Sequence, residues 1–90
     1  MEKTVYFFHN TEGNVPERRI IRELLKLGGK YYDNDKVAPK EKGMYYYIDV
    51  DGYNEIILSS YIPHFYNIYK LVQILYDKEN DNFYQVEIIH

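Results

Sequence analysis

The sequence predicts an α+β fold, a ferredoxin-like βαββαβ two-layer sandwich with two helices on one face of a four-stranded antiparallel sheet. Three features lead there. A capped amphipathic helix occupies the region from Pro16 to Gly28, an Asp-Gly pair divides two strand-like runs between Met44 and Tyr61, and polar residues recur at helical spacing between His64 and Asp77. The chain has 90 residues, 46% of them hydrophobic. That suffices for one core but not for two domains with a cleft between them, so residues 1–90 are read as a single domain.

Taken in order, Thr4–His9 (TVYFFH) is β-branched and aromatic, the composition of a strand buried on both faces. Asn10–Asn14 is a turn cluster. Pro16 suits a first helical turn and Glu17 the positive end of the helix dipole. Ile20, Ile21, Leu24, Leu25 and Leu27 follow at helical spacing, and Gly28–Gly29 supplies a left-handed stop. Residues 31–43 read as an exposed polar loop, with a short strand at Lys30–Tyr32. Met44–Val50 and Asn54–Tyr61 form a hairpin around Asp51–Gly52.

The stretch from His64 to Asp77 is rich in Tyr and Ile, yet its polar residues Asn67, Lys70, Gln73 and Asp77 fall three, three and four apart. On a helical wheel Phe65, Ile68, Tyr69, Val72, Leu75 and Tyr76 share one arc. Residues 65–77 are therefore expected to be the second helix. If they are a strand, the fold becomes one helix on a five-stranded antiparallel sheet. Phe83–Ile89 alternates Tyr84, Val86 and Ile88 against Gln85 and Glu87 and reads as a half-buried strand.

Composition excludes several classes of function. With no cysteine there is no disulfide framework, thiolate nucleophile or cysteine-ligated metal. The apolar run near the start, Val5–Phe8, is shorter than the roughly 7–15 residues of a signal peptide, and nothing approaches the roughly 18 of a membrane span. A soluble cytoplasmic protein is expected. Phe, Tyr, Asn, Lys and Ile supply 41 residues, the usage of an A/T-rich genome of the kind found in low-G+C bacteria and their phages and mobile elements. Charge is uneven: residues 1–43 hold nine Lys/Arg against seven Asp/Glu, and residues 44–90 hold two against seven. That asymmetry suggests one basic and one acidic surface region.

Catalytic and metal signatures are weak. His9, His64 and His90 lie far apart. His9 could serve as a general base at the end of the first strand, but reads more readily as a strand-end residue beside a turn. Asp77, Glu79 and Asp81 alternate as in a calcium loop, but Asn82 stands where the glycine is required and Ile88 where the closing acid is required. Gly28–Gly29 follows a helix, the reverse of a phosphate-binding loop. No catalytic residue, cofactor or metal site is expected.

Two surfaces are candidates for binding. Arg18, Arg22 and Lys26 lie four apart, with Arg19 beside them, and form a basic helix stripe that could meet phosphates or an acidic protein. In the hairpin, Met44, Tyr46, Ile48 and Val50 are expected to face the helices with Ile56 and Leu58. Tyr45, Tyr47 and Asp49 would then lie on the open face with Glu55, Tyr61 and Glu87. Aromatic side chains on an open sheet stack bases in RNA-recognition modules, but here the acids would repel phosphate. The mixture suits a protein interface, since tyrosine gives amphipathic contact area at low entropy cost.

The order strand, polar loop, Arg-bearing helix, glycine, hairpin is similar in layout to that of Cas2-type small nucleases. Those proteins end the first strand on a metal-binding aspartate. This chain has Phe8, His9 and Asn10 there, so the resemblance implies no nuclease activity. The reading favoured is a small non-enzymatic protein-binding module, an inhibitor encoded by a phage or mobile element against a host defence protein of the anti-CRISPR type. It would dock its acidic, Tyr-rich face on a basic nucleic-acid-binding partner. Competing readings are a nucleic-acid-binding module using the Arg18–Lys26 stripe and a small hydrolase centred on His9. Homodimerisation is compatible with each.

Overall fold

A computed structural model describes residues 3–32, 41–50, 54–59 and 69–88 of the chain. They form strand β1 (Lys3–Asn10), helix α1 (Glu17–Leu27) and strands β2 (Gly43–Asp49), β3 (Ile57–Ser59), β4 (Tyr69–Asp77) and β5 (Asn82–Ile88). The strands make one sheet in the order β3-β2-β1-β4-β5. β1 and β4 run parallel and the other neighbours antiparallel, so the sheet is mixed. The class is α+β, with one helix and five strands among the described residues. None of these residues belongs to a helix long and apolar enough to cross a membrane.

β1 is the middle strand, which explains its unbroken apolar run. Phe8 is buried on the face under α1 and Val5 on the opposite face. α1 turns Ile20, Ile21 and Leu24 inward. Its end is a Schellman motif: the Gly29 N–H donates to Leu24 O at 2.9 Å and the Gly28 N–H to Leu25 O at 3.1 Å. Gly28 sits at φ 119°, a conformation open to glycine and strained for other residues.

The second helix expected at residues 65–77 is corrected by the structure. Tyr69–Asp77 is strand β4, paired with β5 in continuous register from Leu71↔Ile88 to Asp77↔Asn82; residues 65–68 lie outside the described residues. The polar residues that mimicked a helical period are accommodated otherwise. Lys70 reaches Glu87 at 3.5 Å from the helix-side face, and Gln73 is half-buried on the other. An interior strand flanked by β1 and β5 needs no clean polar alternation. The five-stranded alternative is nearer the observed fold, but it too needs correction, because the β1–β4 pair is parallel.

β2 and β3 pair antiparallel, as a hairpin around Asp51–Gly52 requires, but the expected facing is corrected: Ile56 and Leu58 share a face with Tyr45 and Tyr47, not with Met44 and Tyr46. Met44 faces Ser59, Tyr45 faces Leu58 and Tyr46 faces Ile57, the offset that a two-residue connection at those positions sets. Residues 51–53 themselves lie outside the described residues, as does most of the polar loop expected at 31–43. In place of a strand at Lys30–Tyr32 there is a single parallel bridge between Lys30 and Glu55. The Lys30 N–H donates to Asn54 O at 2.8 Å and the Ile56 N–H to Lys30 O at 2.7 Å. This ties the end of α1 to the entry of β3.

Candidate functional site

The expected open face of β2 is the covered one. Pairing of Tyr6 with Tyr47 and of Phe8 with Tyr45 places these four side chains on one face of the sheet. That face carries the core, where they pack with Ile20, Leu24 and Ile74. Tyr45 and Tyr47 are 0% and 1% exposed, so neither is available as an interface anchor. Their hydroxyls are placed by the two ends of α1. Tyr45 donates to Glu17 Oε2 at 3.1 Å, and Tyr47 donates to Leu27 O at 3.1 Å. Burial, reinforced for Tyr45 by the Glu17 carboxylate, holds both phenols neutral well above the ordinary tyrosine range.

The expectation of a single covered face is what misplaced them. Val5 and Met44 are also buried, and the register puts both on the face away from α1. Both alternating sets of β2 therefore hold buried residues, and periodicity cannot say which set lies under the helix. The remaining members of the proposed acidic surface are scattered. Asp49, Glu55 and Glu87 are exposed, Glu87 pairs with Lys70, and Tyr61 lies outside the described residues.

The basic stripe divides in two. Arg19 leans across to the β4–β5 hairpin, where its guanidinium meets Asp81 Oδ1 at 2.6 Å. It also lies 5.5 Å from the centre of the Tyr76 ring and 5.6 Å from that of Phe83. Tyr76 donates to the same Asp81 oxygen. Arg19 thus clamps helix to hairpin. Arg18, Arg22 and Lys26 are exposed, with Lys26 in a loose 3.8 Å contact with Glu23. Among the described residues neither Arg18 nor Arg22 has an ion-pair partner. Arg19, Arg22, Lys26 and Phe83 line a cleft of about 300 Å³ that also takes in Glu23, Asp81 and Asn82.

His9 lies at the end of β1 beside a shallow cleft of about 210 Å³ lined also by Asn10, Thr11, Glu12 and Asn14. These side chains serve local structure. The Asn10 amide donates to Val15 O at 2.8 Å and to Glu41 O, and Asn14 donates to Glu12 at 2.8 Å. The Thr11 hydroxyl donates to the His9 backbone carbonyl at 3.5 Å. His64 and His90 lie outside the described residues. Among the described residues no group of three or more His, Asp or Glu could hold a metal ion. The carboxylates that resembled a calcium loop have other roles: Asp77 accepts from the Glu79 and Asn80 backbone N–H groups and the Asn80 amide, and Asp81 from Tyr76 and Arg19.

The sequence reading missed the surface at β5. Among the described residues this strand is an edge of the sheet. Its apolar set, Tyr84, Val86 and Ile88, points away from α1, and Tyr84 and Val86 are 49% and 40% exposed. Beside them on the same face lie half-buried Leu71 and Leu75 of β4, cross-strand partners of Ile88 and Tyr84. The alternation of Phe83–Ile89 was a sufficient signal for the strand. Its position at an edge depends on the β1–β4 pairing, which periodicity does not carry. Set beside known proteins, the chain matches no family model, no curated protein and no solved structure.

Proposed function

We infer that this protein is a small non-enzymatic binding module that engages a protein partner through the open edge of its sheet. One observation carries the reading: β5 is a seven-residue edge strand with Tyr84 and Val86 exposed on its apolar face. An edge strand offers a row of backbone donors and acceptors to a second chain, and an adjacent aromatic side chain supplies an anchor. As an inhibitor of a host defence protein, the module would present this edge, with the exposed Glu87 of the same strand, to its partner.

A second reading rests on Arg18 and Arg22. Both are exposed and unpaired among the described residues, beside Lys26, and would suit contact with a nucleic-acid backbone. The purified partner distinguishes the two. Replacing Tyr84 and Val86 with Lys should weaken its binding at least about tenfold, the loss of an interface anchor, with the far-ultraviolet circular dichroism unchanged. If binding instead survives that change, falls steeply with salt and vanishes when Arg18, Arg22 and Lys26 become Glu, the nucleic-acid reading replaces it.

A further inference from the structure

We propose that the partner of the β5 edge is a second copy of this chain, joined by antiparallel β5–β5 pairing with a two-fold axis through Val86. The inference rests on the edge reading above and assigns its occupant.

The two edges of the sheet are unlike. β3 is three residues long, a length that limits edge-to-edge pairing by itself. β5 runs for seven residues, NFYQVEI, with no proline and no lysine. Its pairing with β4 proceeds residue by residue without a bulge. Its one charge, Glu87, is met by Lys70 at 3.5 Å. β5 thus lacks the proline, lysine and bulge by which proteins blunt a free edge, whereas β3 is blunted by its shortness among the described residues.

The side-chain sequence of β5 is self-complementary in one register. Antiparallel neighbours share a face, so placing Val86 opposite its own copy puts Tyr84 opposite Ile88 of the second copy. This extends the apolar strip of Tyr84, Val86 and Ile88 across the two-fold axis. On the other face the same register sets Gln85 against Glu87 of the second copy, an amide donor against a carboxylate, twice per dimer. Shifting the axis to Glu87 would oppose two like charges, and shifting it to Gln85 would oppose Glu87 and Phe83. A shift of half a step would set Gln85 against Val86 and break the apolar strip. Pairing about Val86 joins two five-stranded sheets into one of ten strands, with both copies of α1 on the same side. A contact of this length is at the small end of specific interfaces, so the dimer should be concentration-dependent, in the micromolar range.

Gln85 provides the test, because its side chain is exposed and lies opposite Ile74 within the monomer. Sedimentation velocity of the full chain, from about 1 µM to about 1 mM, should show a monomer–dimer equilibrium. Gln85→Lys sets a cation against Glu87 of the second copy and should tighten the dimer about threefold to tenfold; Gln85→Glu should loosen it by a similar factor. Val86→Lys, which opposes two lysines at the axis, should leave a monomer. A chain that stays monomeric at the highest concentration, or a dimer indifferent to these three changes, overturns the proposal. If a variant fails to fold, hydrogen exchange of the wild type decides. The outward amides of β5 must gain protection between dilute and concentrated samples, and unchanged exchange rates refute the pairing. Should the chain prove monomeric while Tyr84→Lys still abolishes binding to another protein, self-pairing falls and the edge reading stands. If Tyr84→Lys changes neither, both fall.

Discussion

A tyrosine placed under a helix has to satisfy its hydroxyl as well as bury its ring. Tyr45 and Tyr47 do so at opposite ends of α1, one on the Glu17 carboxylate of the first turn and the other on the Leu27 carbonyl of the last. A Tyr6–Tyr47 stack, with ring centres 5.0 Å apart, backs the second. Tyr45→Phe and Tyr47→Phe should each cost about 0.5–1.5 kcal/mol, the net value of a buried hydrogen bond. Either Ala variant should cost about 3–5 kcal/mol through the cavity it leaves. Urea unfolding checks this: the midpoint should fall at constant slope. A Tyr45→Ala protein as stable as wild type would mean that the ring is not part of the core. These residues also show why their role was misread. Twelve tyrosines in a 90-residue chain invite a surface explanation, and nothing local says that a helix end will receive a phenol.

At the scale of elements, α1 and its stop were legible because their signals are local. Pro16, Glu17, the apolar spacing and Gly28–Gly29 all act within a turn or two of the residues they govern. Gly29 has a further duty that the sequence does not announce. A Cβ added there would lie 2.8 Å from Ile56 Cγ1 and 2.9 Å from Tyr47 Cδ1, so the end of the helix passes β2 and the entry of β3 with no room for a side chain. Gly29→Ala should destabilise the protein by about 1–3 kcal/mol through overpacking, although Gly→Ala alone in a relaxed backbone is stabilising. Thermal unfolding of the variant gives the sign, and a raised midpoint would show that this close approach is absent. β4 is the opposite case. Its helical spacing was real as a pattern, yet pairing with β1 on one side and β5 on the other outweighed it.

For the whole molecule, α1 is joined to the β4–β5 hairpin through Arg19, Asp81 and Tyr76, and that junction titrates. The Tyr76 hydroxyl, followed by the Arg19 guanidinium, holds the Asp81 carboxyl below the usual carboxylate range, and the Asn80 amide leads in doing the same for Asp77. Because these folded values lie below the unfolded ones, their support is present above about pH 4 and is lost as the pH falls through the folded values. The raised phenols of Tyr45 and Tyr47 act in the other direction: their support is present below about pH 10 and is lost as the pH rises toward the folded values. Thermal midpoints across the acid range should therefore fall less steeply in Asp81→Asn than in wild type. Identical acid limbs would remove Asp81 from the account.

Local signals suffice for α1 and its cap, the buried character of β1, the pairing of β2 with β3 and β5 as a strand. Each of these follows from period, turn chemistry or capping among near neighbours. Long-range pairing settles which face of β2 lies under the helix, that residues 69–77 are a strand, and that β5 is an edge among the described strands. Those outcomes depend on β1 pairing with a segment far along the chain and on both faces of the sheet holding buried residues. A strand covered on both sides loses the alternation by which a sequence normally declares its inward face.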